Sequence, residues 1–386
     1  MLQMIFTNIF QQLKNNNISL YFRLWANCLL VKGYRRSLVY DLQRERIIYL
    51  SNLFFETYHG YKNTDIKSIY ADSNNPNRMG FLKIVDNLID NDFGILVDNP
   101  QTLPSLITDY DTPFSITNAI INTDSSNPEL LYNSVKSLSN LRIQALRFDD
   151  YSKMDNDVLK RIDDLMRQSS CEQIYIRTNF SAYFDKIEHQ LSFRFRQITY
   201  YNAPVDIEYE RKDNSDIKIK YSSKSIDYYD CGNVENKYFI CNLPFFTEAQ
   251  HHNTCLNRKV CIDAEGNIKN CPAMAKSYGN IRDTTLGEAI NKPGFKDLWY
   301  VCKDQIDVCK DCEFRYMCTD CRCFIKDPGN IYSQPPKCTY NPYICLWEGQ
   351  DGYVPVEECG TYSRETGFVP DKMKIAELNR RIWGED

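Results

Sequence analysis

Residues 309–323 read CKDCEFRYMCTDCRC, five cysteines in fifteen residues. Such a segment has few aliphatic side chains to bury, so its fold needs a cross-link through the thiols. Sixteen cysteines occur in the chain, and all but Cys28 and Cys171 lie between Cys231 and Cys359. Disulfides are the natural reading in a small exported protein. This chain has 386 residues, and its opening MLQMIFTNIFQQLKNNN is broken by Asn, Gln and Lys with no small-residue cleavage site. The expectation is therefore a reducing cytoplasm, with metal ligation as the leading use of the thiols.

Length allows two or three domains, each with its own core. The net charge is −5 with both signs interspersed, which leaves no broad basic face for phosphates, so nucleic acid is not an expected partner. No apolar run has membrane length, and no membrane partner is expected.

Residues 20–95 open with three β-rich runs, CLLVKG, RSLVYDL and RIIYL, followed by helical patterns in which Phe81, Leu82, Ile84, Val85 and Leu88 share a face. Three strands followed by helices predict a small winged-helix-like module. From about residue 110 the pattern alternates: FSITNAIIN, PELLYNSVKSLS, LRIQALRF, DNDVLKRIDDLMRQ, EQIYIRT, AYFDKIEHQL, RQITYY. This βα repeat predicts parallel strands. Asn127 with Pro128, and Asp155, mark helix starts. Four strands and three helices over 110–235 are too few for a closed barrel, so the fold class is α/β with a degenerate partial (β/α) barrel. The polar stretch 205–235 reads as an irregular or hairpin connection. Residues 240–360 form the cysteine-rich, loop-rich domain. In 361–386, Met373, Ile375, Leu378, Ile382 and Trp383 predict a docking helix with one apolar side.

Cys309 and Cys312 form a CxxC, Cys318 follows after five residues, Cys321 and Cys323 crowd behind, and Cys338 lies beyond. Upstream stand Cys255, Cys261 and Cys271 in CLNRKVCIDAEGNIKNCP. This many thiols call for at least two metal centres. Zinc and iron–sulfur clusters both take four thiolates, and spacing alone leaves the choice open.

These residues resemble the SPASM domain that follows the radical S-adenosylmethionine barrel in peptide-modifying enzymes. Cys255, Gly266 with Cys271, then Cys309, Cys312, Cys318 and a final Cys338 fall on its pattern, and YGNIRDTTLGEAINKPGFKDLW resembles its internal linker. The pattern's cysteine at 322 is Arg322 here, flanked by Cys321 and Cys323, either of which is the candidate replacement. The resemblance implies two auxiliary [4Fe-4S] clusters: one on Cys255, Cys261, Cys271 and either Cys321 or Cys323, the other on Cys309, Cys312, Cys318 and Cys338. Zinc is the alternative. Cys231, Cys241, Cys302, Cys345 and Cys359 are then read as small buried hydrophobes.

The CxxxCxxC that binds S-adenosylmethionine in such enzymes has no counterpart in the segment TDSSNPELL. Cleavage of that cofactor is not expected. The run CEFRYMCTDCRCF with PPKCTYNPYICLW, and the early CLLVKGYRRSLVYDLQ, is similar to the SPASM peptide maturases of grasp-with-spasm systems, encoded beside an ATP-grasp ligase and a short precursor peptide. The implied function is a component of ribosomal peptide maturation that binds a precursor peptide and works with the ligase. Residues 20–95 then resemble leader-recognition modules, with RSLVYDL or RIIYL offering an edge for strand addition. Two alternatives remain: a redox enzyme acting on the peptide through an auxiliary cluster, and a zinc-stapled interaction module without catalysis. The chain's own residues identify no catalytic group.

Overall fold

The computed structural model describes residues 18–124, 127–167, 169–181, 191–210, 217–227 and 231–384. Strand β1 (Tyr21–Leu24) is followed by β2 (Cys28–Lys32), β3 (Arg36–Asp41) and β4 (Arg46–Ser51), close to the three runs read from the sequence. Helices Asn52–Tyr61, Ile66–Ala71 and Arg78–Asp90 follow, and β5 (Gly94–Val97) returns to pair antiparallel with β1. Ser51 and Asp65 cap the first two of these helices by accepting backbone amides.

Strands β2, β3 and β4 form an antiparallel sheet with β3 in the centre. The RSLVYDL run is therefore paired on both sides and offers no edge, a correction to the sequence reading. No backbone hydrogen bond joins β4 to anything but β3 among the described residues. Alternation along these strands sends residues to two cores. Cys28, Val39 and Leu50 pack with Phe54, Tyr58, Leu82 and Val85 of the adjacent helices. Val31, Leu38 and Tyr40 pack instead with Phe246, Phe314, Met317 and Tyr340 from the cysteine-rich part.

The βα repeat supplies β6 (Asn118–Thr123), helix Pro128–Ser139, β7 (Ala145–Asp150), helix Asn156–Met166, β8 (Gln173–Asn179) and β9 (Phe195–Tyr201), with neighbouring strands parallel. Asn127 accepts the Leu130 amide and Asp155 that of Val158, the two helix starts expected from sequence. The expected third helix, AYFDKIEHQL, falls largely on 182–190, outside the described residues. Residues 205–235 contain β10 (Ile207–Glu210) and β11 (Lys218–Tyr221), with β11 parallel to β9 and β10 antiparallel beyond it. Of the two readings of this stretch, irregular or hairpin, the antiparallel pair β10–β11 matches the hairpin. At the other side β12 (Lys259–Ile262) lies parallel to β6 and carries β13 (Ile268–Lys269). The result is a mixed α/β fold around an eight-stranded, mostly parallel sheet, ordered β10-β11-β9-β8-β7-β6-β12-β13.

One face of that sheet is apolar: Leu146, Phe148, Ile174, Ile176, Ile198, Val260 and Ile262 pack with Val135, Leu138, Leu159 and Ile162 of the two helices. Helix Lys372–Trp383 closes the chain, capped by Asp371. Ile375, Leu378 and Ile382 pack near Tyr343 and Phe368, but Met373 is 81% exposed, so the expected single apolar side is narrower than the sequence pattern. No helix of the described residues is long and apolar enough to cross a membrane.

Candidate metal centre

Strand and turn geometry gathers the thiols into two groups. Cys261 lies on β12, in register with Ile120 of β6, and Cys271 follows β13. Cys255 sits in the turn after helix Leu243–His251, where Asn253 Oδ1 accepts the amides of Cys255 and Leu256 at 3.1 and 2.8 Å. Cys271 and Cys323 share a side-chain hydrogen bond, as do Cys231 and Cys321. Cys255 feels the charges of Cys321 and Cys271, and Cys261 that of Cys271. The first group thus holds Cys255, Cys261, Cys271, Cys321 and Cys323 together with Cys231. That corrects the reading of Cys231 as a buried hydrophobe. Gly232, at φ +79°, permits the approach, since an added Cβ there would lie 3.1 Å from the Cys321 Cβ. Both candidate replacements for the missing cysteine are present, each bonded to a different partner.

Electrostatics separates these thiols. The hydrogen bond from Cys323 draws the Cys271 thiol down to about 6, while Cys323 itself moves up. The bond from Cys321 lowers Cys231, and Cys321 moves up. Burial raises Cys255, with the Lys259 ammonium, 3.4 Å from its sulfur, opposing the rise.

Cys309, Cys312, Cys318 and Cys338 form the second group and line one cavity with Val234, Phe314 and Tyr340. Val308 enters the CxxC turn at φ +66°, a strained conformation for a β-branched residue. Lys303, which spacing did not single out, is only 4% exposed and points into the group. Its Nζ lies 3.4 Å from the Cys318 sulfur, 3.9 Å from that of Cys309 and 3.8 Å from an Asp320 oxygen. Burial disfavours its charge, but Cys309, Cys318, Asp320 and Cys338 outweigh burial and hold the ammonium well above the usual lysine value. The buried Asp320 carboxylate offsets the buried ammonium, while burial raises the Cys309 and Cys318 thiols themselves.

Arg322 is buried, donating to Asp320 at 2.7 Å and to the carbonyls of Ile331 and Ser333 at 3.0 and 2.8 Å. Asp320 also accepts from Asn253 at 2.6 Å. One carboxylate therefore connects Lys303 of the second thiol group, Asn253 beneath Cys255 of the first, and Arg322.

The donor chemistry fits two four-thiolate centres: Cys309, Cys312, Cys318 and Cys338 for one, and four of the six thiols in the first group for the other. Among the described residues no three Cys, His, Asp or Glu side chains converge as a ready site for a single metal ion. The cavity that the four thiols of the second group line with ten other residues has a volume of about 20 Å³, near the size that takes one water.

No family model matches this chain, and no curated protein matches it.

Proposed function

We propose that this chain is a peptide-binding component of ribosomal peptide maturation, a SPASM-type protein that holds two [4Fe-4S] clusters and works with an ATP-grasp ligase in the cytoplasm. The observation that carries the reading is the grouping of the cysteines. Thiols far apart in sequence come near one another in two groups, and Cys309 and Cys318 of the second lie 3.9 and 3.4 Å from the buried ammonium of Lys303, which supports the reading. In this reading the eight-stranded sheet is an opened relative of a (β/α) barrel, residues 20–95 are a winged-helix-like recognition module, and the clusters shape the peptide site.

The open side of β4 is the place for a leader peptide. Strand addition pairs β4 backbone groups that lack a backbone partner among the described residues, Arg46 O already accepting from the Cys241 thiol at 3.6 Å, and alternate side chains of the guest meet Tyr49, which is 50% exposed, and Leu53, 49% exposed. Titration of the full-length protein with the short peptide encoded beside it tests the reading. Saturable binding is expected, weakened when proline replaces every second residue of the bound segment, because proline removes a ladder donor. Absence of binding contradicts the reading, and indifference to proline contradicts strand addition.

A second reading takes its support from the small cavity, about 20 Å³, that Cys309, Cys312, Cys318 and Cys338 line with other residues. A single zinc ion needs less room than a cube, and zinc would make the chain a stapled interaction module.

A further inference from the structure

Parallel sheets are ordinarily covered by apolar side chains on both faces. The face of this sheet away from helices Pro128–Ser139 and Asn156–Met166 is polar. By register, Asn122, Asp149, Arg177, Thr199 and Lys220 stand side by side on β6, β7, β8, β9 and β11. Two residues back along the strands, Cys261, Ile120, Arg147, Tyr175 and Gln197 form the neighbouring row. The first thiol group and the two arginines therefore share one face.

A cavity of about 630 Å³ opens there, lined by Arg147, Arg177, Tyr201, Lys220, Lys224 and Cys231 among others, a volume typical of ligand sites. Its acidic members are engaged: Asp206 accepts from Ser223 at 2.7 and 2.8 Å, and Glu208 pairs with Lys218 and Lys220. Buried Asp149 lies between the arginines, 2.9 Å from Arg147 and 3.5 Å from Arg177. Each guanidinium carries five donors, yet the Nε of Arg147 and the Nε of Arg177 have no partner among the described residues. Two arginines against one aspartate leave one positive charge at the cavity floor. That balance matches a carboxylate better than a doubly charged phosphate.

We propose that this cavity binds an acidic peptide segment, one Asp or Glu side chain being held by Arg147 and Arg177. The proposal rests on the reading of the chain as a peptide-binding protein, but it concerns a surface separate from β4, and it names the chemistry of the segment that lies beyond a leader. Arg177 lies over the Tyr201 ring at 5.1 Å and donates to the Asp227 carbonyl at 3.2 Å, contacts that hold it against the cavity wall.

The test uses the full-length protein and fluorescence anisotropy with a labelled Ala-Glu-Ala-Asp-Ala peptide and its Gln/Asn counterpart. The acidic peptide is expected to bind about tenfold or more tightly than the amide peptide, the usual ratio for a charge-assisted hydrogen bond. Arg177→Gln and Arg147→Gln should each erase most of that ratio. Equal binding of the two peptides to the unaltered protein overturns the proposal, and this comparison stands even if a variant fails to fold. Displacement of the acidic peptide by equimolar inorganic phosphate also overturns it, assigning the site to phosphate. Discrimination between the peptides with no leader binding at β4 upholds this site while contradicting the edge-strand reading.

Discussion

Arg322 occupies the position where the resembling pattern has a cysteine, and its surroundings show why a thiol there would not be equivalent. The guanidinium is buried, ties Asp320 to two carbonyls of the 331–333 turn, and cannot be replaced by water. Arg322→Cys should lower stability by about 3 kcal/mol or more, the cost of stranding a buried ion-pair partner. Thermal melting of the two proteins measures this, and an equally stable variant would show that position 322 still accommodates a ligand. The cysteines on either side were legible in the sequence because their spacing is short. Cys231 was not: its neighbour in sequence, Cys241, packs in a different core, and only the fold brings Cys231 to Cys321. Lys303 escaped notice for a related reason, since a lysine in sequence is ordinarily solvent-exposed and nothing local signals that it turns inward.

Asp41, at the end of β3, governs how the small sheet meets its helices. Its carboxylate accepts from Asn27, from the amides of Gln43 and Arg44, and from the guanidiniums of Arg44 and Arg46. Those same arginines donate to the carbonyls of Asn91 and Asp92 beyond helix Arg78–Asp90. Burial raises the carboxyl, but the bonds from Arg44, Arg46 and Gln43 outweigh burial and hold it below the usual value of 3.8. A depressed folded value contributes stability above the unfolded value, and that contribution is lost as pH falls through the folded one. Asp41→Asn should therefore melt lower than the parent at neutral pH, with the difference closing below pH 3.8. A difference that persists unchanged in acid would place the effect in packing. At this scale, elements with strong periodicity or caps, such as helix Asn156–Met166 after Asp155, were legible. Strand β10 was legible only as one of two readings of its segment, because all four of its residues are exposed and carry no burial pattern. The edge role of RSLVYDL failed because local sequence gives strand propensity without pairing order.

Across the whole molecule, the N-terminal sheet and the cysteine-rich part share buried bonds as well as a core. Arg36 of β3 reaches Glu313, the fully buried residue beside Cys312, at 2.6 Å, and Tyr340 donates to the same carboxylate. The Tyr34 amide donates to the Asp311 carbonyl at 2.7 Å, and Arg315 to that of Lys32 at 2.7 Å. Gly33 permits this approach, since a Cβ there would lie 2.9 Å from the Glu313 Cβ. Residues 20–95 are thus bonded into the cysteine-rich part, and a metal held at the CxxC would be coupled to the order of β3. Removing metal under reducing conditions should speed hydrogen exchange in β3 along with residues 309–340, whereas unchanged protection of β3 would show two independent units. Whether the two thiol groups hold iron–sulfur clusters is read from iron, zinc and acid-labile sulfide analysis with a visible spectrum on anaerobically purified full-length protein. Two clusters give about eight iron and about eight sulfide per chain, with a broad visible absorption that bleaches on reduction; colourless protein containing zinc and no sulfide rules them out.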